Sequence, residues 1–305
     1  MILQNTNGYD RQVNECLQHA LLDKNSNQIQ TWMKEFYRPE NMFAALRNDK
    51  IVSVLQMDPV TVSFAGKDLA ARQIVLSATD PDYRQKKVYS QLVHAALTKC
   101  ENNELMTLCY TEFPALFEKH GFQIVSTTRT YWMSLHNYAH GAMERVQPYR
   151  DNIDLYPVYN QFMNVFDGSI RATAEDFRRR LHAAYYLKEK VVFMEDANGK
   201  ICGFAIYKHD QNAISISCLV YLTTQALQDL FAYLSKRSAS LSLTISEQER
   251  LEKFFPMDFP REKGSVMVRI NDTKLFSRWA GMEIKDAKQA YACLSKPCWN
   301  HFYQF

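Results

Sequence analysis

No apolar run in this chain approaches the 18 or more residues of a membrane-spanning helix, so the sequence reads as that of a soluble protein with no membrane partner. The first ten residues, Met1 to Asp10, show neither the basic region nor the apolar core of a secretion leader, and the cytoplasm is the expectation. The seven cysteines, at 16, 100, 109, 202, 218, 293 and 298, form an odd set without a Cys-x-x-Cys pair. That pattern argues against a disulfide framework and reads instead as reduced, mostly buried small hydrophobes. Eight histidines are scattered, and the close pair His136 and His140 lacks a third ligand nearby, so no metal site is expected. A net charge of +3 is far from the broad basic field of a nucleic-acid binder. The lone basic triplet, Arg178-Arg179-Arg180, reads as the solvated face of a helix. No Ser-His-Asp or Cys-His signature is present, which argues against covalent acyl transfer.

What the chain does have is length for two domains of ordinary size, since 305 residues exceed one, together with a globular balance of 47% hydrophobic and 23% charged residues. Its most informative stretch is Ile74 to Leu97, where an apolar strand runs through Pro81-Asp-Tyr-Arg84 into an amphipathic helix expected over 84–97. Val88, Leu92, Val93 and Ala96 recur at helical spacing, one apolar stripe for a sheet. Such a helix start carries unpaired backbone N–H groups and the positive end of the helix dipole, a place where a diphosphate is held by main chain.

Around that stretch the elements follow in a regular series. Two strands between Asn41 and Met57 meet at an Asn48-Asp49 turn, and Val60 to Phe64 runs into a turn at Gly66. Leu105 to Tyr110 reads as a strand, Pro114 to His120 as a short helix closed by Gly121, and Phe122 to Met133 as a last long strand. A boundary falls between Ser134 and Asp154. Beyond it lie helices over 155–168 and 173–184, the second with Thr173 as N-cap and Asp176 at N3. A hairpin at Asn198-Gly199, a strand over 213–221, a helix over 223–236, a strand over 239–245, a helix near 247–254 and a strand over 265–270 complete the series. The order of the first half is repeated in the second. At the second strand-to-helix junction, however, Leu222-Thr-Thr-Gln-Ala-Leu-Gln-Asp229 offers no proline turn, arginine or glycine for a diphosphate.

The stretch 74–97 resembles the acetyl-CoA signature of the GNAT superfamily of N-acetyltransferases, a strand followed by Arg/Gln-x-x-Gly-x-Gly/Ala at the head of a helix. Arg84 fits the first position, whereas Lys87 stands at the glycine and Tyr89 at the Gly/Ala. Phe113 to Phe122 looks like the family's Tyr-x-x-x-Gly-Phe region, whose tyrosine protonates the departing thiolate. Phe117 occupies that position and has no proton to give, which leaves Tyr110 and His120 as nearby substitutes and the acid unassigned. Two such copies in tandem, the first alone with the signature, resemble the enhanced-intracellular-survival (Eis) acetyltransferases; Val158 to Arg171 and Met267 to Asp272 add to the likeness. The fold class expected is α/β with mixed sheets: a GNAT domain over 1–140, a second GNAT-like domain over 150–272 and a tail over 273–305. That family continues into a sterol-carrier-like third domain, for which too little chain follows Asp272, so it is expected to be missing or vestigial.

The resemblance implies direct transfer of acetyl from acetyl-CoA to a primary amine, on a small molecule such as an aminoglycoside or on a lysine side chain. Leu76, Ser77, Ala78 and Thr79 would splay from the neighbouring strand and present a backbone N–H to the thioester carbonyl. Arg84 and the N–H groups from Gln85, Lys86, Lys87 and Val88 would hold the pyrophosphate, and the terminal carboxylate of Phe305 would act as base. The family's hexamers involve the third domain, so a smaller homo-oligomer is expected. Two other classes stay open: a degenerate GNAT pair serving as an acyl-CoA sensor or assembly module, and aminoacyl transfer from aminoacyl-tRNA, against which the modest charge argues.

Overall fold

The computed structural model describes residues 1–101, 103–134, 141–210, 213–249, 251 and 260–299. The chain divides into two compact units, residues 1–125 with 265–294, and residues 126–264 with the segment from Ser295.

The first part of unit 1 contains β1 (Ile2–Gln4), α1 (Asp10–Ala20), α2 (Ser26–Glu35), β2 (Met42–Arg47), β3 (Lys50–Phe64), β4 (Lys67–Thr79), α3 (Val88–Cys100), β5 (Met106–Thr111) and α4 (Ala115–Glu118), and two further helices, Thr273–Ala280 and Ala287–Ala292, come from late in the chain. The strands lie side by side in chain order, antiparallel from β1 to β4 and parallel between β4 and β5. Ser265–Ile270, from late in the chain, pairs antiparallel with Met106–Thr111 and completes this sheet. Asn48 and Asp49 both adopt positive φ, 50° and 59°, the geometry of the expected tight hairpin turn. Val13, Cys16, Leu17 and Ala20 of α1 recur at helical spacing and pack with Ile29 and Trp32 of α2 on Val54, Leu76 and Ala78. On the other face Val88, Leu92, Val93, Ala96 and Leu97 of α3 and Phe117 of α4 pack on Leu55, Met57, Ile74 and Cys109. Alternation along β4 therefore sends Leu76 and Ala78 into the α1/α2 core and Ser77 and Thr79 to the α3 side.

Unit 2 contains β6 (Gln123–Ser134) from Ser126 onward, β7 (Val146–Pro148), α5 (Tyr156–Met163), β8 (Ser169–Arg171), α6 (Ala174–Tyr186), β9 (Lys190–Glu195), β10 (Ile201–Asp210), β11 (Ala213–Tyr221), α7 (Thr224–Ser235) and β12 (Ser240–Ser246). Its sheet order is β6-β12-β11-β10-β9-β7, with β12 and β11 parallel and the other neighbours antiparallel. The sequence of pairings matches that of unit 1. α7 buries Leu227, Leu230, Phe231 and Leu234 against one face, and α5 and α6 bury Phe162 and Phe177 against the other with Phe204 and Trp299. As the sequence predicts, Thr173 caps α6 through a capping box with Asp176, its side chain accepting the Asp176 N–H at 3.1 Å.

The structure departs from the sequence reading at four places. The strand expected to close the first half instead pairs Thr128–Ser134 with Ser240–Ser246, and the one expected to close the second half sits in unit 1. Periodicity locates a strand but not its partner, and chain order is the default in its absence. The helix expected from residue 84 starts at Val88, because Gln85 and Lys87 take left-handed backbone conformations with φ of 60° and 61°. Near residue 247 there is a 3-10 turn, Glu247–Glu249, and most of the helix expected there lies outside the described residues. Finally, Arg178 and Arg179 do lie on an open face, each bonded to Glu175, but Arg180 is buried, its guanidinium donating to Glu189 at 2.8 Å and Ser217 at 2.8 Å. A charge run marks a solvated face only where every member points outward.

Candidate functional site

β4 and β5 pair over Arg72–Ile74 alone among the described residues, whereas β4 stays paired with β3 as far as Thr79. Beyond Ile74 the β5-side edge of β4 is therefore open. The Asp80 N–H donates to the Val52 carbonyl, so alternation turns the backbone groups of Ser77 and Thr79 toward the open edge. The Thr79 carbonyl meets the Arg84 guanidinium there at 3.1 Å.

That edge forms one wall of a cavity of about 540 Å³, lined by Ser77, Ala78, Thr79, Tyr83, Arg84, Gln85, Lys87, Val88, Tyr89, Ser90, Leu116 and Lys119. The loop and the first turn of α3 form the opposite wall. Asp80 opens the loop by accepting the Asp82 N–H at 2.9 Å, and Pro81–Tyr83 coil into a 3-10 turn. Lys87 then enters the helix in the left-handed conformation and supplies no side-chain cap. In contrast Asn25, Thr173 and Thr223 each cap their own helix, at α2, α6 and α7. The first-turn N–H groups of α3 are left for an acceptor from outside the helix, and Arg84, Lys87 and Lys119 line the same cavity and bring positive charge to it. An anion with several oxygens suits this wall, and an extended amide-bearing chain suits the open strand edge.

Of the residues singled out by sequence, Ser77, Ala78, Thr79, Arg84, Gln85, Lys87 and Val88 come together around the cavity. Leu76 points into the α1/α2 core, and Lys86 lies over the ring of Tyr83, 5.3 Å from its centroid. Arg84 holds the loop as well as lining it, since Nη2 donates to the Ala20 carbonyl at 2.9 Å. Phe117 is buried, edge-on to Phe122 at 5.6 Å and to Tyr89. Tyr110 lies on β5 opposite Val266, outside the cavity lining. His120 follows α4; burial, with Lys119 beside it, lowers its pKa, and its Nε2 is enclosed without a hydrogen-bond partner. Phe305 lies outside the described residues, as do His136 and His140. Sequence reasoning missed Tyr83, Tyr89, Ser90, Leu116 and Lys119 as lining residues. Tyr89 had a signal, a large side chain where the resembling motif has Gly or Ala; Leu116 and Lys119 had none, because they arrive from another element.

In unit 2 the corresponding helix start is closed by its own residue, the Thr223 hydroxyl accepting the Ala226 N–H at 3.1 Å. Gly203 of β10 lies close by, and a Cβ there would meet the Val220 carbonyl at 2.8 Å and the Ala226 side chain at 3.3 Å. Backbone packs where unit 1 leaves space.

Residues 4–125 match the model of the acetyltransferase (GNAT) domain family. No curated protein sequence matches the chain. Among solved structures, a GCN5-related N-acetyltransferase from Anabaena variabilis superposes with a TM-score of 0.73 at 14% identity, over 89% of this chain and 73% of that one. A probable N-acyltransferase of unknown function from Enterococcus faecalis gives 0.71 at 14% identity, over 88% and 72%. Eis1 from Mycobacterium abscessus gives 0.61 at 13% identity, over 90% and 75%. No helix among the described residues is long and apolar enough to cross a membrane. Residues 4–125 are thus similar to the acetyltransferase (GNAT) domain, and the chain has a GNAT-like mixed α/β fold.

Proposed function

We propose that this protein is an N-acetyltransferase that takes acetyl-CoA in the cavity of unit 1 and transfers the acetyl group to a primary amine, borne by a small molecule or a lysine side chain. The observation that carries this reading is the coincidence, in one cavity, of an open strand edge at Ser77–Thr79, a helix start without a side-chain cap, and Arg84, Lys87 and Lys119 in the lining. When bound, acetyl-CoA supplies an activated acyl carbon and a leaving thiolate. The chain's own part is to hold and orient. Backbone N–H groups at Lys87–Ser90 and the cations around them would bind the diphosphate, and the Ser77 and Thr79 backbone would align the pantetheine arm and polarise the carbonyl. Lys87 stands where a glycine would let phosphate oxygens approach most closely, and its left-handed backbone reproduces the glycine conformation while its ammonium adds charge. The two units would then be tandem GNAT-like copies in the Eis manner, the second without a cofactor site.

A second reading, a non-catalytic acyl-CoA sensor, draws support from Phe117, which is buried among aromatic rings and can donate no proton. Calorimetric titration with acetyl-CoA followed by a screen of amines for thiol release separates the two. Saturable binding with acceptor-dependent release of CoA is expected; binding without turnover on any amine would leave the sensor.

A further inference from the structure

The backbone of Arg84 is extended, between the 3-10 turn Pro81–Tyr83 and the left-handed Gln85, and its N–H is held by the Pro81 carbonyl at 3.2 Å. Its side chain folds back to β4 and α1. Nε donates to the Thr79 carbonyl at 3.1 Å, and Nη2 donates to the Ala20 carbonyl at 2.9 Å. Ala20 is the last residue of α1, a helix end that leaves carbonyls without partners inside the helix and favours a cation. The Thr79 carbonyl is the outermost acceptor on the open edge of β4, the edge that an extended amide chain would join as an added strand. That edge is fixed from behind, where the buried Ser53 hydroxyl donates to the Ala78 carbonyl at 3.1 Å and pairs with the Thr79 hydroxyl at 2.8 Å. Arg84, by contrast, is exposed, so its guanidinium turns outward without uncovering a core.

We infer, on the reading of the cavity as a CoA site, that Arg84 is a displaceable stop on this edge and makes the donor site selective for thioesters that carry a diphosphate over those on a bare pantetheine arm. With Arg84 on Thr79, the arm finds the outermost acceptor of the edge taken. A diphosphate arriving at the start of α3 offers the guanidinium paired, charge-assisted bonds in exchange for two bonds to neutral carbonyls, and the edge is freed as the ligand seats. A thioester without phosphate offers no such exchange and meets the edge obstructed. Binding of the diphosphate and of the arm are thereby coupled through one side chain.

Two titrations of the full chain test this. In the first, S-acetyl-pantetheine is titrated into the unaltered protein without and with saturating inorganic pyrophosphate, which should raise its affinity about fivefold or more, the lower end of ordinary coupling between sites. In the second, Arg84→Met, which keeps the stem and removes the donors, is titrated with acetyl-CoA and with S-acetyl-pantetheine. Loss of the charged contacts should weaken acetyl-CoA binding about tenfold or more, whereas S-acetyl-pantetheine should bind more tightly than it does to the unaltered chain. A residue that only binds phosphate would weaken acetyl-CoA and leave S-acetyl-pantetheine unmoved. S-acetyl-pantetheine binding that neither pyrophosphate nor the substitution improves, undetectable binding included, would overturn the inference and leave Arg84 a phosphate ligand. Failure of the unaltered chain to bind acetyl-CoA would instead overturn the CoA reading. The pyrophosphate titration needs no substitution, so it decides the matter whether or not Arg84→Met folds.

Discussion

The rings of Tyr89 and Phe117 meet edge to face, 6.3 Å between centroids with planes at 88°, and so couple the first turn of α3 to α4 beside the cavity. Phe117 in turn meets Phe122 at 5.6 Å, so the short helix is pinned between two aromatic neighbours. Removing the middle ring leaves a void that a four-residue helix is poorly placed to fill. Phe117→Ala should cost about 3–5 kcal/mol, read as a fall in the denaturant midpoint with unchanged slope.

Lys87 holds φ of 61° without the relief a glycine would have. Lys87→Gly should therefore leave stability unchanged or raise it by up to about 1 kcal/mol, despite glycine's greater freedom when unfolded. For CoA binding the loss of charge should cost less than in Lys87→Glu, which also places a like charge beside the diphosphate. Thermal melts and titrations of the two variants read the two effects separately.

Arg84 bridges the Ala20 and Thr79 carbonyls and faces the cavity at the same time. Arg84→Ala should lower stability by about 1–2 kcal/mol through the two lost hydrogen bonds and weaken CoA binding in addition. Arg84→Lys should recover part of the stability, but not the paired contact with two carbonyls. Melting temperature and affinity measured on both variants check this.

Glu249 in unit 2 accepts from Trp299 Nε1 at 2.9 Å and from the Tyr221 hydroxyl at 3.2 Å, and burial pushes its pKa up to about 7. A carboxyl raised above its unfolded value near 4.5 contributes stability that is fully present below that value and is lost as pH rises through about 7. Relative to the unaltered chain, Glu249→Gln should thus gain in melting temperature across that window and show a constant difference above it. A difference that does not change with pH would contradict the assignment.

Much of the fold was legible in the sequence because it rests on local chemistry. The Asn48-Asp49 turn, the Thr173–Asp176 capping box and the stripe Val88, Leu92, Val93, Ala96 each declare themselves within a few residues. The exchange of closing strands between the units did not, since the pairing of Met106–Thr111 with Ser265–Ile270 joins segments more than 150 residues apart, and nothing in either strand names its partner. The site divides in the same way. The loop from Thr79 to Val88 was visible as a strand-turn-helix, and the left-handed Gln85 and Lys87 that delay the helix were hidden because neither is a residue that favours that conformation. Lys119 and Leu116 enter only through folding.

On the reading proposed above, unit 1 holds CoA between the open edge of β4 and the start of α3. Calorimetric titration of the full chain with acetyl-CoA and with CoA tests it most directly. Saturable binding of both in the micromolar range, weakened by Arg84→Ala and by Lys87→Glu, is the predicted result; no binding at millimolar ligand would contradict it.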